Sequence, residues 1–244
     1  MASVVASIAT VDKEEIRSKK ENERIELGEN VYSLLVVAPV NSWPFIFSIA
    51  VMCIKFIALG ILVSDISFVD VAVPNFEVSV VKFFLVPVAI AMQEDLMSSF
   101  STLANGMYCP SLKTKSTSAT RTKLYFGYIL RTCDGLASLY VNYAVMLVTT
   151  ETIGVFLNFA ALQFIYDIDD VFYELITLGF FGDQMEHMTL VCKECSLARR
   201  YGQFNFKILC FRVSWLDTML FFFLLIVLYI AYIVWTVHLY QEYL

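Results

Sequence analysis

The sequence predicts an all-α, polytopic membrane protein with about five transmembrane helices. Hydrophobic residues make up 59% of its 244 residues and the mean hydropathy is +0.69, which is high for a soluble domain of this length. Fourteen of the 17 Lys and Arg residues fall in segments 13–24, 113–123 and 193–212, with long apolar runs between them. Because cytoplasmic loops retain basic residues and translocated loops lose them, this segregation predicts repeated crossings of a bilayer.

The N-terminal part of the chain is polar, and we predict that residues 1–30 form an arm outside the membrane. Residues 12–29 mix acidic and basic side chains with few apolar ones, a pattern typical of a solvated helix or a disordered segment. The apolar run 31–39 is too short to span a bilayer. We expect it to lie in the interface as an elbow, with Trp43 at the level of the lipid headgroups.

Residues 31–244 are predicted to form a single transmembrane domain. Residues 43–64 are interrupted only by Lys55, and residues 78–92 contain Lys82 and the helix-bending Pro87. Lys82 lies near one end of its span, so we expect its ammonium group to reach the interface. The predicted spans are 43–64, 78–92, 127–149, 152–168 and 216–238.

The number of crossings depends on one short segment. Residues 152–166 are uncharged but number only fifteen, which is short for a span. Without a crossing there, the protein has four spans, and the basic segments 113–123 and 193–212 lie on opposite sides. With a crossing, every basic loop residue shares one side, which favours five spans. The N-terminus is then cytoplasmic and the C-terminus opposite.

The expected partners follow from the surface that this topology presents. The lipid bilayer is the first partner, and no nucleic-acid partner is expected. The loop 113–123 contains four basic residues and no acidic one, so it is a candidate for anionic lipid, although a plain solvated loop is favoured. Five helices enclose little polar space, which leaves homo-oligomers or other membrane subunits open.

Lys55 is the most costly charge in the predicted membrane domain. It is residue 13 of a 22-residue span, where insertion costs about 2.5 to 3.5 kcal/mol. Asn142 in the third span and Asn158 in the fourth lie at a similar depth and are its predicted partners. An equally weighted alternative is a Lys55 side chain that extends to an interface. Arg131 and Asp134 have i,i+3 spacing and are predicted to pair with each other.

An acidic stripe is predicted after the fourth span. Gln163, Asp167, Asp170 and Glu174 recur at steps of four, three and four residues, so they share one face of a helix. Asp169 lies beside them, and Glu94 and Asp95 end the second span, so a second acidic group faces the first. These carboxylates could concentrate cations or bind a hard cation, but a solvated helix face is favoured because the spacing of a calcium loop is absent.

Catalytic motifs are absent from the sequence. It contains no nucleophile elbow, phosphate-binding loop or HExxH. Asp134-Gly135 starts like the signature of CDP-alcohol phosphotransferases, but Ser138 and Leu139 stand where Ala and Arg are required. The pair Cys192 and Cys195 fits no standard zinc spacing. We therefore expect no enzymatic activity, no metal site of a standard type and no cofactor, and we expect the six cysteines to be free thiols.

Three short stretches resemble a family of uncharacterised multi-spanning membrane proteins found in many copies in diatom-like algae. They are MQEDL at 92–96, NFAALQFI at 158–165 with the following IDD at 168–170, and GFFG at 179–182. The resemblance covers roughly residues 80 to 185. It implies a membrane protein without an assigned activity and supplies no catalytic residues. It also implies that the acidic stripe and the Gly-Phe-Phe-Gly turn belong to one recurring unit.

These features predict a membrane-embedded component of a cation channel or transporter. The basis is Lys55 together with the carboxylates at 94–95 and 167–174. The alternative is a structural protein that binds partner membrane proteins. In that case the carboxylates only pair with nearby basic residues such as Arg199 and Arg200.

Overall fold

The computed structural model describes residues 24–68, 71–108, 112–113, 116–198, 207–208, 211–212 and 216–242. The predicted helical architecture is confirmed within these ranges. The helices are α1 (Val31–Val37), α2 (Trp43–Asp65), α3 (Phe76–Ala91), α4 (Glu94–Tyr108), α5 (Arg121–Val148), α6 (Thr152–Tyr166), α7 (Ile168–Thr177), α8 (Asp183–Lys193) and α9 (Leu216–Glu242). The strands are β1 (Arg24–Glu26), β2 (Leu112–Lys113), β3 (Ser196–Ala198), β4 (Lys207–Ile208) and β5 (Phe211–Arg212).

Short strands join the end of the N-terminal arm to the helices. β3 pairs antiparallel with β1 on one side and with β2 on the other, with Ile25 opposite Leu197. β4 and β5 form a separate antiparallel pair. The prediction of a solvated or disordered arm is therefore wrong for residues 24–30, where Leu27 and Asn30 are also buried. The rest of the predicted arm, residues 1–23, lies outside the described residues.

Helix α1 lies inside the protein, so the predicted interfacial elbow is wrong. All seven of its residues are buried. Its first turn is capped by the side chain of Asn30, which accepts a hydrogen bond from the backbone N–H of Ser33. Helices α2, α5, α7 and α8 pack around it. Seven apolar residues are too few to span a membrane, but they are enough to fill the space between four longer helices.

Two of the described helices are long and apolar enough to cross a membrane. They are α2 and residues 218–241 of α9. Helices α3 and α4 meet this criterion only as a pair that bends by 42°. Helix α5 has 28 residues but contains Arg131 and Asp134, and α6 has only 15. Two crossings, or three with the bent pair, are compatible with an integral membrane protein.

Two breaks between consecutive helices lie beside the middle of α5. One separates α3 from α4, and the other separates α6 from α7. Helix α3 starts beside the end of α5, where Lys82 Nζ donates to the Leu147 carbonyl at 2.7 Å. Helix α4 then packs on the first half of α5, where the hydroxyls of Ser99 and Thr132 are 3.0 Å apart. Helix α6 ends at Tyr166 and α7 starts at Ile168. The predicted acidic stripe on one continuous helix is therefore wrong, because the helix breaks at Asp167.

Gly135 permits the close approach of α4 to α5 beside the first break. A Cβ atom built on Gly135 would lie 2.8 Å from Cβ and 3.2 Å from Cα of Leu96. Both residues are buried. The nearest atoms are the Cα and Cβ atoms of Leu96, so a change of rotamer at Leu96 cannot relieve the contact. The contact therefore fixes where the adjacent Asp95 lies relative to α5.

We predict that Gly135→Ala destabilises the protein by about 1 to 3 kcal/mol, because the added methyl group overpacks the α4–α5 contact. The measurement is thermal unfolding of the purified protein in detergent. Gly60→Ala in α2 is the matched control, since a Cβ atom there meets nothing within 4 Å. That change is expected to be neutral or slightly stabilising. Equal stability of the two variants would contradict the close contact.

Candidate functional site

Lys55 is buried at the centre of a three-residue ionic group. Its Nζ atom lies 2.6 Å from Asp134 Oδ2 and 2.6 Å from Asp169 Oδ1. It also donates a hydrogen bond of 2.7 Å to the carbonyl of Tyr166. The residue is 1% exposed, and these three contacts satisfy all three of its N–H donors. The buried ammonium group is therefore held by partners on three other helices, α5, α6 and α7.

The predicted partners of Lys55 are wrong. Asn142 lies in α5, eight residues beyond Asp134, which is about 12 Å along a helix. Asn158 donates from Nδ2 to the Thr149 hydroxyl at 3.0 Å. The alternative prediction, a lysine that reaches the interface, is also wrong, because the ammonium group is enclosed by protein. The acidic residues of α7 were expected at the inner surface of the membrane, whereas Asp169 contacts Lys55 in the middle of α2.

A second ion pair lies next to the first. Arg131 Nη2 donates to Asp95 Oδ1, and both side chains are largely buried. The backbone N–H of Asp95 donates to the Tyr166 hydroxyl at 3.0 Å. The predicted pairing of Arg131 with Asp134 is therefore wrong. Although their spacing permits contact, each pairs with a residue on a different helix, and Tyr166 contacts both ion pairs.

Asp95, Asp169 and Asp170 together form a carboxylate cluster. Each offers one oxygen, and the three oxygens lie within 4.8 Å of one another. The prediction that Glu94 and Asp95 face the acidic residues after the fourth span holds for Asp95, which lies in the first turn of α4. The predicted depth is different: Asp169 contacts Lys55, which is the 13th of the 23 residues of α2. The cluster lies where both helix pairs are interrupted.

The other candidate residues lie around this centre. Gln163 donates from Nε2 to Asp167 Oδ1 at 2.9 Å across the second break. Glu94 and Glu174 are exposed. Arg199 and Arg200, proposed as their basic partners, lie outside the described residues. In the loop 113–123, Lys123 donates to the Ala38 carbonyl at 2.6 Å, so one of its four basic groups is held by the protein.

A polar cavity of about 400 Å³ adjoins the cluster. Acidic, hydroxyl and guanidinium groups share its wall, and both Asp95 and Asp170 face it. The lining residues are Gly28, Glu29, Asn30, Glu94, Asp95, Ser98, Thr102, Tyr128, Arg131 and Asp170. The cavity gives small polar species access to carboxylates that lie otherwise between helices.

The charges of the ion-paired residues and the carboxylate cluster do not balance. Lys55 and Arg131 contribute two positive charges. The carboxylates of Asp95, Asp134, Asp169 and Asp170 contribute four negative charges when all are ionised. Net negative charge in a poorly solvated site is costly, so protons or bound cations are needed to compensate it.

Two residues of this region were misjudged from the sequence. Asp134 was expected near the inner end of its span and was not a candidate site residue, although an aspartate within a span also carries an insertion cost. That cost was the available signal that Asp134 needs a basic partner, but it does not say which one. Lys82 was expected to extend to the interface, but it is 2% exposed and its ammonium group contacts the Leu147 carbonyl. Leu147 lies in the last turn of α5, where backbone carbonyls are without helical partners.

Asp170 lies beside the two ion pairs and in the wall of the cavity. Among the described residues it forms no ion pair with a basic group. Its carboxylate is therefore part of the negative charge that Lys55 and Arg131 leave uncompensated.

Comparison with known proteins adds no assignment to this geometry. No protein-family model, no curated protein and no solved structure matches the chain.

Proposed function

We propose that this chain is an integral membrane protein that moves cations across a bilayer, with the carboxylate cluster as the site that the cation visits. The observation that carries the proposal is the excess of carboxylates over basic residues where two helix pairs are interrupted. Asp134 and Asp169 are buried and Asp95 and Asp170 are half-buried, against the two basic residues Lys55 and Arg131. A permanent structural ion pair needs equal numbers of opposite charges. An excess of two carboxylates instead favours a site that is occupied by protons or cations.

The interrupted helices support the same proposal. Transport proteins often bind their substrates near the middle of the membrane, where discontinuous helices expose polar groups. Here the first break, after Ala91, brings Asp95 to the site, and the second, at Asp167, brings Asp169 and Asp170. Both breaks lie beside Tyr166, which contacts Asp95 and Lys55. A small movement of either helix half therefore changes the surroundings of the carboxylates.

The proposed topology has five crossings. They are α2, the bent pair α3–α4, α5, the interrupted pair α6–α7, and α9. The contact of Phe47 with Phe172, whose ring centroids are 5.8 Å apart, supports the fourth crossing because it aligns α7 with the first half of α2. With the N-terminus on the cytoplasmic side, the carboxylate cluster then lies about halfway across the membrane, and Lys82 lies toward the opposite side.

The experiment is cation flux into liposomes that contain the purified protein. We predict uptake of protons or metal cations in response to a gradient or a membrane potential. The double variant Asp169→Asn, Asp170→Asn should lose most of this flux, because it removes the excess negative charge. The control is Asp183→Asn, which changes an exposed carboxylate in the first turn of α8 and should retain the flux.

Two outcomes count against the proposal. Absence of flux for every cation tested, with a folded protein, would favour the alternative of a structural protein that binds partner membrane proteins. Flux that is unchanged in the double variant would remove the carboxylate cluster from the mechanism. Circular dichroism and the melting temperature establish that each variant is folded before its flux is compared.

A further inference from the structure

We propose that Asp95, Asp169 and Asp170 bind one divalent cation of the calcium type. This inference deepens the proposed function, because it names the kind of cation that the carboxylate cluster holds. It is carried by four observations: the spacing of the oxygens, a buried oxygen without a partner, the net charge and the adjoining cavity.

The spacing of the carboxylate oxygens fits a hard cation. The three oxygens lie within 4.8 Å of one another. Calcium binds oxygens at about 2.3 to 2.6 Å, so two ligands on opposite sides are separated by up to about 5 Å. Magnesium binds at about 2.0 to 2.1 Å and limits that separation to about 4.2 Å. Three oxygens within this limit can share one calcium ion with little rearrangement, whereas magnesium also requires near-ideal octahedral geometry and loses its waters reluctantly.

Asp169 provides independent support, since one of its oxygens is buried without a partner. Its Oδ1 atom contacts Lys55 at 2.6 Å, whereas Oδ2 has no hydrogen-bond partner in the described part of the chain. The residue is 1% exposed. An unsatisfied buried carboxylate oxygen is costly, and Asp169 is itself a member of the cluster. A cation held by Asp95 and Asp170 would supply the partner that Oδ2 lacks.

The net charge favours a divalent cation over a monovalent one. Four carboxylates and two basic groups leave two negative charges when all are ionised. One divalent cation neutralises this excess, and one monovalent cation leaves half of it. Lys55 and Arg131 are engaged with Asp169 Oδ1 and Asp95 Oδ1, so each of these two carboxylates keeps a second oxygen for the cation.

The adjoining cavity supplies access and further ligands. Asp95 and Asp170 lie in its wall, together with the hydroxyl-bearing Ser98 and Thr102. Calcium takes six to eight oxygen ligands, several of which are usually waters. Three carboxylates therefore account for part of the shell, and a cavity of about 400 Å³ has room for the waters that complete it.

The test is titration of the full-length protein, stripped of metal with a chelator, with calcium chloride in detergent at neutral pH. Isothermal titration calorimetry should give saturable binding of one calcium ion per chain, weaker binding of magnesium and no saturable binding of potassium. Asp170→Asn should weaken calcium binding by about 10- to 100-fold, because it removes a charged ligand. Asp183→Asn should bind calcium like the wild type.

Asp170→Asn is the informative variant, because Asp170 has no partner of its own among the ion pairs, whereas Asp169→Asn also weakens the contact with Lys55. The absence of saturable calcium binding by the folded wild type would overturn the inference, as would unchanged affinity in Asp170→Asn. Calcium binding without cation flux would contradict the proposed transport function but leave this site intact. Flux of protons or monovalent cations without calcium binding would overturn the calcium site but leave the proposed transport function intact.

Discussion

The buried contact of Lys55 with Asp134 and Asp169 is the constraint on which the centre of the molecule depends. An ammonium group in an apolar helix is stable only when its charge and its three donors are satisfied. The partners come from α5, α6 and α7, so the requirement fixes the positions of four helices at once. Removing Lys55 leaves two buried carboxylates without their basic partner, and breaking a buried ion pair in this way costs about 3 to 5 kcal/mol.

The helix breaks follow from the same requirement. Asp169 reaches Lys55 because the chain ends one helix at Tyr166 and starts another at Ile168. The carbonyl that Tyr166 directs to Lys55 belongs to the last residue of α6, where backbone carbonyls are available for other partners. The ring of Tyr166 also faces the ammonium group at 4.9 Å. The other helix pair, α3–α4, contacts Tyr166 through Asp95. The two breaks therefore belong to one site.

The sequence predicted the strongest features and missed those that depend on which helices are neighbours. Long apolar runs identified α2 and α9, because length and hydropathy are local properties. Lys55 was recognised as costly for the same reason. Its partners could not be deduced, since Asp134 had a nearby basic residue in sequence, and the depth of Asp169 depends on a helix break. The burial of α1 was likewise missed, because seven apolar residues suit a membrane interface as well as a protein interior.

A double-mutant cycle between Lys55 and Asp169 tests the central claim most directly. The free energy of unfolding in detergent is measured for the wild type, Lys55→Met, Asp169→Asn and the double variant. If the two side chains form the buried pair, the effects of the single changes are not additive, and the coupling energy is about 1 to 3 kcal/mol. Additive effects, within about 0.5 kcal/mol, would show that Lys55 and Asp169 do not interact and would contradict the account of the site.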